Sequence, residues 1–312
     1  MGAVRLGASP GRTVHGNAQP RRFSDDFITY FGGIMEVCTL ASGSSGNCTL
    51  VRCGDTCVLL DAGISARRIT AGLRELGTEP PELSAILITH EHTDHISGLA
   101  TLTKKLRVPI YASGATLRQL CYRIPFLEEL VRPLEGGQGT QVGALWCQAF
   151  STPHDAAGSQ GYSLTGEGRK MALCTDLGFL APEVLEGAAG AELLLAEANH
   201  DEEWVRSGPY PYYLKQRILG DFGHLSNETG AVLAQKAAEG GARAVVLAHL
   251  SQQNNTPARA YETVARHLRG AGVDPERDLT LAVAPRSEPG PLYRLEGDRT
   301  VRAFRRRGAG LC

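Results

Sequence analysis

The chain lacks any run of eighteen apolar residues, which leaves no segment suited to cross a membrane as a helix. Its N-terminus also lacks the successive basic, apolar and small-residue zones of a secretory signal, so the expected compartment is the cytoplasm. Excess charge is missing as well. Lys plus Arg number 32 against 33 Asp plus Glu, so no overall field draws the protein to nucleic acid or anionic lipid, and a polyanion must be gripped by a local patch. None of the eight cysteines forms a C-x-x-C pair, and all are scattered through a large chain, which fits reduced thiols better than a disulfide framework. Cys48, Cys53 and Cys57 come nearest to a metal cluster, but a Gly54-Asp55 turn parts the last two, and half-buried thiols on a hairpin are expected. Internal repeats and low-complexity linkers are absent after Met35.

What is present suits a globular α/β protein. With 312 residues, 42% of them hydrophobic, the chain can bury the core of one large domain or two smaller ones. Residues 1–34 are rich in Gly, Arg, Pro and Asn and show no sustained periodicity. They are expected to be a disordered leader or the product of a start codon placed too early, with the folded domain spanning 35–312. Apolar runs of strand length follow at Cys48–Arg52, Cys57–Asp61, Ala85–Thr89, Pro109–Ala112, Trp146–Ser151, Met171–Thr175, Leu193–Glu197, Ala244–His249 and Leu279–Ala284. Helical patterns lie at Ala66–Leu76, Ile96–Lys105, Ala115–Ile124, Asn227–Ala238 and Pro257–Leu268. The last has Thr256 as its cap, Pro257 in its first turn and Gly270 as its expected stop. His267, in its final turn, and His15, in the leader, are expected to have no catalytic part. Strands that are apolar without strict alternation suit two sheets inside with helices outside.

The strand Ala85–Ile88 runs into Thr89-His90-Glu91-His92-Thr93-Asp94-His95. Alternate residues of an extended segment project to one side, so His90 and His92 can close on one metal ion. Asp94 and His95, where the chain turns into a helix, can reach a second. Neutral imidazoles gain little from crowding unless something coordinates them. One short motif cannot complete two coordination shells, and later strand ends supply three more donors in order: His154, Asp176 and His249. Each alone is a weak signal; as a set behind H-x-H-x-D-H they are strong.

On these residues the stretch from Met35 to about Arg286 resembles the metallo-β-lactamase superfamily. The resemblance implies a four-layer αββα sandwich, two central mixed β-sheets flanked by helices, with two divalent metal ions, Zn²⁺ or Mn²⁺, at the sheet edges. It implies that His90, His92 and His154 hold one ion, that Asp94, His95 and His249 hold the other, and that Asp176 bridges them. Asp61, in Leu60-Asp61-Ala62-Gly63, matches an early Asp-x-Gly that braces the motif loop. Flavodiiron relatives carry Glu at the position of His92, so this chain is similar to the hydrolases. Four further stretches, Leu40–Asn47, Glu197–Asp201, Tyr210–Leu219 and Gly223–Asn227, resemble the YycJ (WalJ) family, which implies an exodeoxyribonuclease digesting duplex DNA from the 5′ end. β-CASP nucleases insert a large domain between the equivalents of Asp176 and His249, and the segment here is too short to hold one.

The chemistry points the same way. Two ions sharing a hydroxide suit in-line attack on a phosphodiester. Asp94, His224 and Glu197 are the candidate catalytic residues: His224 to protonate or hydrogen-bond the phosphoryl group or leaving oxygen, Glu197 to orient it, a pair similar to that of the tRNA 3′-processing nucleases. His200, Tyr213, Lys215 and Arg217 are the candidate substrate contacts: His200 suits either a phosphate contact or packing, and the segment Trp204 to Arg217 interleaves aromatic and cationic side chains, which suits strand binding and core packing of a Pro-rich lid equally. Arg302, Arg305, Arg306 and Arg307 add positive charge near the C-terminus. DNA is the expected partner, with no membrane. The alternatives are a small-molecule hydrolase of a cyclic phosphodiester, thioester or lactone, and a metal-bound scaffold without turnover. Oligomeric state has no sequence signal.

Overall fold

Leu193 and Leu195 point into one apolar layer while Leu194 and Ala196 point into another, and the strand that carries them meets water on neither side. Burial on both faces is why the strands read as continuous apolar runs. The computed structural model describes Gly2, residues 33–297 and residues 301–304. The expected leader therefore lies outside the described residues but for Gly2, Gly33 and Ile34, as do His15, Arg305, Arg306, Arg307 and Cys312.

The first sheet takes the N-terminal half of the chain: β1 (Met35–Ala41), β2 (Cys48–Cys53), β3 (Thr56–Leu60), β4 (Leu83–Leu87), β5 (Ile110–Ala112) and β6 (Val131–Pro133). The second takes β7 (Gly139–Val142), β8 (Leu145–Ser151), β9 (Gln160–Gly166), β10 (Arg169–Cys174), β11 (Leu193–Glu197), β12 (Ala244–Ala248) and β13 (Thr280–Val283). The hairpin of β14 (Leu292–Leu295) and β15 (Val301–Phe304) returns to the first sheet, giving the orders β15-β14-β1-β2-β3-β4-β5-β6 and β13-β12-β11-β10-β9-β8-β7. Both sheets are mixed, with β3 to β6 and β10 to β13 parallel.

Val58, Leu60, Tyr162, Leu164 and Val246 fill the space between the sheets. Outside the first sheet, Leu59, Ile86 and Ile88 pack on α1 (Ala66–Glu75), α2 (Thr93–Ile96), α3 (Leu99–Thr103) and α4 (Gly114–Arg123) through Ile69, Leu73, Ile96, Leu99 and Leu120. Outside the second, Leu194 and Val245 pack on α5 (Pro182–Ala188), which carries Val184. Two short helices, α6 (Glu202–Ser207) and α7 (Tyr212–Leu219), precede α8 (Asn227–Glu239) and α9 (Pro257–Gly270), whose Leu233 and Val264 complete that layer. The αββα sandwich expected from the sequence is the architecture observed. No helix among the described residues is long and apolar enough to cross a membrane.

Three local expectations are corrected. The helix expected at Ile96–Lys105 is split into α2 and α3, because the Asp94 carbonyl accepts from Asn47 N (2.8 Å) while Gly98 N donates to Ala62 O (2.9 Å), so the two cannot pair within a helix. The last helix runs through Gly270 and is stopped instead by Gly272, whose φ of 82° leaves the helical region. Cys48, Cys53 and Cys57 are fully rather than half buried, since β2 and β3 lie mid-sheet with both faces covered. Strands β1, β6, β7, β9, β14 and β15 and helices α5 to α7 were not among the expected elements: most are short, or interrupted by residues such as Gly161 and Ser163.

Candidate metal centre

The chain brings the expected donors together at one edge of the sandwich, beyond the carboxyl ends of β3, β4, β8, β10, β11 and β12. Three of these exits share a backbone device. Asp61, Asp176 and His249 have φ of 61°, 61° and 55°, a left-handed turn directly after a strand that redirects the side chain at the edge. Asp and His tolerate this region better than most residues, but it remains a strained choice, of the kind that persists where surrounding bonds hold it. The loop after β3 then passes so close to the motif that a Cβ at Gly63 would lie 1.7 Å from the Asp94 carbonyl oxygen.

Ligand atoms of His90, His92 and His154 lie within 4.8 Å of one another, and so do those of Asp94, His95 and His249. Asp176 stands between the sets, with Oδ2 3.6 Å from His95 Nε2 and Oδ1 3.8 Å from His154 Nε2. The imidazoles are oriented from behind. His95 Nδ1 donates to Asp61 Oδ2 (2.8 Å), His154 Nδ1 to the Gly223 carbonyl (3.0 Å), and His249 Nδ1 to Glu197 Oε1 (2.9 Å), while His90 Nδ1 meets Thr89 Oγ1 (3.0 Å). Each leaves its Nε2 for the cluster, the tautomer a metal ligand needs. Asp61 also accepts from Thr89 N and Oγ1, which ties it to the root of the motif loop.

The residues fit a metal by what they leave unpaired. His90 Nε2, His154 Nε2 and Asp176 Oδ2 are buried without a hydrogen-bond partner, a costly state for three neighbouring polar atoms unless a cation completes them. Charge tells the same story. Burial disfavours the His249 imidazolium, yet Asp176, Asp94 and Glu197 outweigh it and push the group up to about 10. His95 is likewise driven up against its burial, by Asp176 and Asp61. Burial opposes the charge of Asp94 too, but His249 and His95 hold it well below the usual carboxylate range. The carboxylates thus demand positive charge at this spot, which a divalent ion would supply without taking protons from solvent.

Glu197 is wholly buried and accepts four bonds: from His224 Nδ1 and His249 Nδ1 at Oε1 (2.9 Å each), and from Leu177 N (2.9 Å) and Leu225 N (3.1 Å) at Oε2. One carboxylate therefore orients both a donor of the cluster and His224. The His224 ring lies 5.0 Å from that of His154 and 5.2 Å from that of His249. The loop holding it packs so closely that a Cβ at Gly178 would lie 2.0 Å from the Asp221 carbonyl.

The expected substrate contacts fare unequally. Tyr213 is 73% exposed and Tyr212 76%, on an α7 that buries no residue, so these rings are not core. Lys215 Nζ is turned onto the Arg206 carbonyl (2.7 Å), and Arg217 onto Asp155. His200 is 1% exposed with burial depressing it to about 4, so it packs beneath the surface rather than facing a strand. Asp201 caps α6 and accepts from Arg259 (2.7 Å), which stacks over Trp204. Arg302 pairs with Glu296 on the far hairpin. Sequence reasoning assigned no role to Asn47, whose side chain lies between Asp94 and His95, to Ser42, whose hydroxyl accepts from His249 N (2.9 Å), or to Asp155. Asn47 and Ser42 sit in the Gly- and Ser-rich stretch after β1, and a loop of that composition ahead of H-x-H-x-D-H was the available signal.

Residues 56–250 match the model of the beta-lactamase superfamily domain. The exodeoxyribonuclease WalJ of Streptococcus pneumoniae (strain D39) is 37% identical over 243 residues, covering 75% of this chain and 90% of that protein. The exodeoxyribonuclease YycJ of Bacillus anthracis is 35% identical over 236 residues, covering 75% and 89%. Among solved structures, the metallo-beta-lactamase fold protein YhfI of Bacillus subtilis superposes with a TM-score of 0.62 at 17% identity, covering 85% of this chain and all of that one.

Proposed function

Because this chain belongs to the beta-lactamase superfamily and, within it, to the family of WalJ and YycJ, we propose that it is a binuclear metal-dependent phosphodiesterase that digests DNA as a 5′-to-3′ exonuclease in the cytoplasm. His90, His92 and His154 would hold one ion and Asp94, His95 and His249 the other, with Asp176 shared; the mixed imidazole and carboxylate set suits Zn²⁺ or Mn²⁺. The chemistry that two divalent ions would supply there is activation of water and neutralisation of charge developing on the phosphoryl oxygens.

His224 is the observation that carries the reading. A thioester expels a thiolate that needs no acid, whereas the alkoxide leaving a phosphodiester is helped by one poised beside the metal donors. With Nδ1 committed to Glu197, the ring keeps Nε2 for the substrate. Asp94 spans the two histidines of its set, lying 3.4 Å from both His95 Nε2 and His249 Nε2, and so keeps them aligned. Tyr213 offers an exposed face for stacking, and Lys215 and Arg217 give the same helix its positive charge.

The test incubates purified protein with end-labelled duplex DNA under Mn²⁺ or Zn²⁺, with bis(para-nitrophenyl) phosphate as a control. Progressive loss from the 5′ end is expected. Intact DNA beside a hydrolysed small ester would transfer the protein to the small-molecule hydrolases.

A further inference from the structure

Helix α7 is held by its surroundings rather than by a buried face. Its Ile218 carbonyl accepts from His224 N (3.1 Å), and just beyond it the Phe222 carbonyl accepts from Asp155 N (3.1 Å). From this helix Arg217 reaches back to Asp155, with Nε 2.5 Å from Oδ2 and a terminal nitrogen 3.2 Å from Oδ1. Asp155 follows the candidate ligand His154, and its Oδ1 lies 3.5 Å from His154 Nε2, the atom that lacks a partner. A single carboxylate thus stands within reach of both a fork-shaped cation and the edge of the metal centre.

A phosphodiester presents that fork with a similar pair of anionic oxygens. We propose that Asp155 stands in for a substrate phosphate: it parks Arg217 beside the centre in the free protein and yields it to a backbone phosphate adjoining the scissile bond. The inference rests on the nucleic-acid reading above and adds to it a phosphate subsite and the residue that guards it. The exchange is easy on physical grounds. The Arg217 and Asp155 side chains are 55% and 32% exposed, and pairs so wetted are weak. Rotation of the side chain alone transfers the guanidinium, because the backbone of α7 keeps its bonds to the site loops. The guard also rejects weak anions, since a ligand must compete with a carboxylate already in place.

Fluorescence anisotropy on the metal-loaded protein, with a 5′-phosphorylated, fluorescein-labelled duplex made resistant to cleavage by phosphorothioate linkages, tests this apart from turnover. Arg217→Ala is expected to raise Kd about tenfold and Arg217→Lys less, because the lysine keeps the charge and loses the fork. Asp155→Asn is expected to lower Kd by a factor of about three or more by releasing Arg217. The double variant is expected to bind like Arg217→Ala, since without the arginine there is nothing to guard. In parallel cleavage assays the Asp155→Asn change should lie in KM rather than kcat. Asp155→Asn that binds no more tightly than wild type, independent effects in the double variant, or loss of metal from Asp155→Asn would each overturn the proposal. A wild-type protein that fails to bind the duplex would overturn it too, whereas one that binds but does not cleave an ordinary duplex would overturn only the nuclease reading.

Discussion

Glu197→Gln changes one buried atom and should disturb two functions at once. The native carboxylate is fully buried and accepts four hydrogen bonds, two from ring nitrogens and two from backbone amides. A glutamine keeps one acceptor oxygen and presents an NH₂ group where the other was. If its NH₂ faces the Leu177 and Leu225 amides, two buried donors lose their acceptors, at about 1 to 3 kcal/mol each, or roughly 2 to 6 kcal/mol together. In a domain of this size that lowers Tm by at least about 3 °C. If the NH₂ instead faces the histidines, His224 and His249 must move their protons to Nε2, and His249 ceases to be a ligand. Thermal melting and metal analysis of the variant distinguish these outcomes, and the second is accompanied by a fall in turnover of about 10² or more, because His224 then loses the acceptor that orients it. A Glu197→Gln protein with wild-type Tm, full metal content and unchanged turnover would refute the reasoning.

His224→Ala should keep its metal while hydrolysis of DNA falls by about 10² to 10⁴, and the deficit should shrink on bis(para-nitrophenyl) phosphate, whose leaving group hardly needs a proton. An equal loss on both substrates leaves charge stabilisation and removes the acid; near-normal turnover on both leaves His224 a loop residue. Asp94→Ala and His92→Ala should each lose metal and hydrolysis together, and wild-type metal stoichiometry in both would remove the two-ion assignment. A chain beginning at Met35 contains every strand and helix described here, so it should fold and retain full activity; insolubility on expression would show that residues 1–34 contribute to the fold.

The sequence by itself determined the layers and singled out the candidate donors. Apolar runs long enough for strands, alternating with helices such as Ala66–Glu75 and Asn227–Glu239, require sheets buried on both sides. The motif from His90 to His95 places four donors within six residues, where backbone geometry alone limits how far apart they can be. His154, Asp176 and His249 were legible because each follows an apolar run. These are local properties, carried by spacing and periodicity.

Only the tertiary structure decided how the donors are held and what surrounds them. Glu197 serves two histidines, 27 and 52 residues along the chain, and Asp155 meets Arg217 at a separation of 62. The break between α2 and α3 likewise exists because neighbouring loops claim its backbone groups, and the left-handed residues Asp61 and His249 have theirs held by Leu87, Ser42 and Asn199. No periodicity encodes such meetings. They arise where strands distant in sequence end at one shared edge of two packed sheets, and burial there makes every polar atom find a partner or a cation.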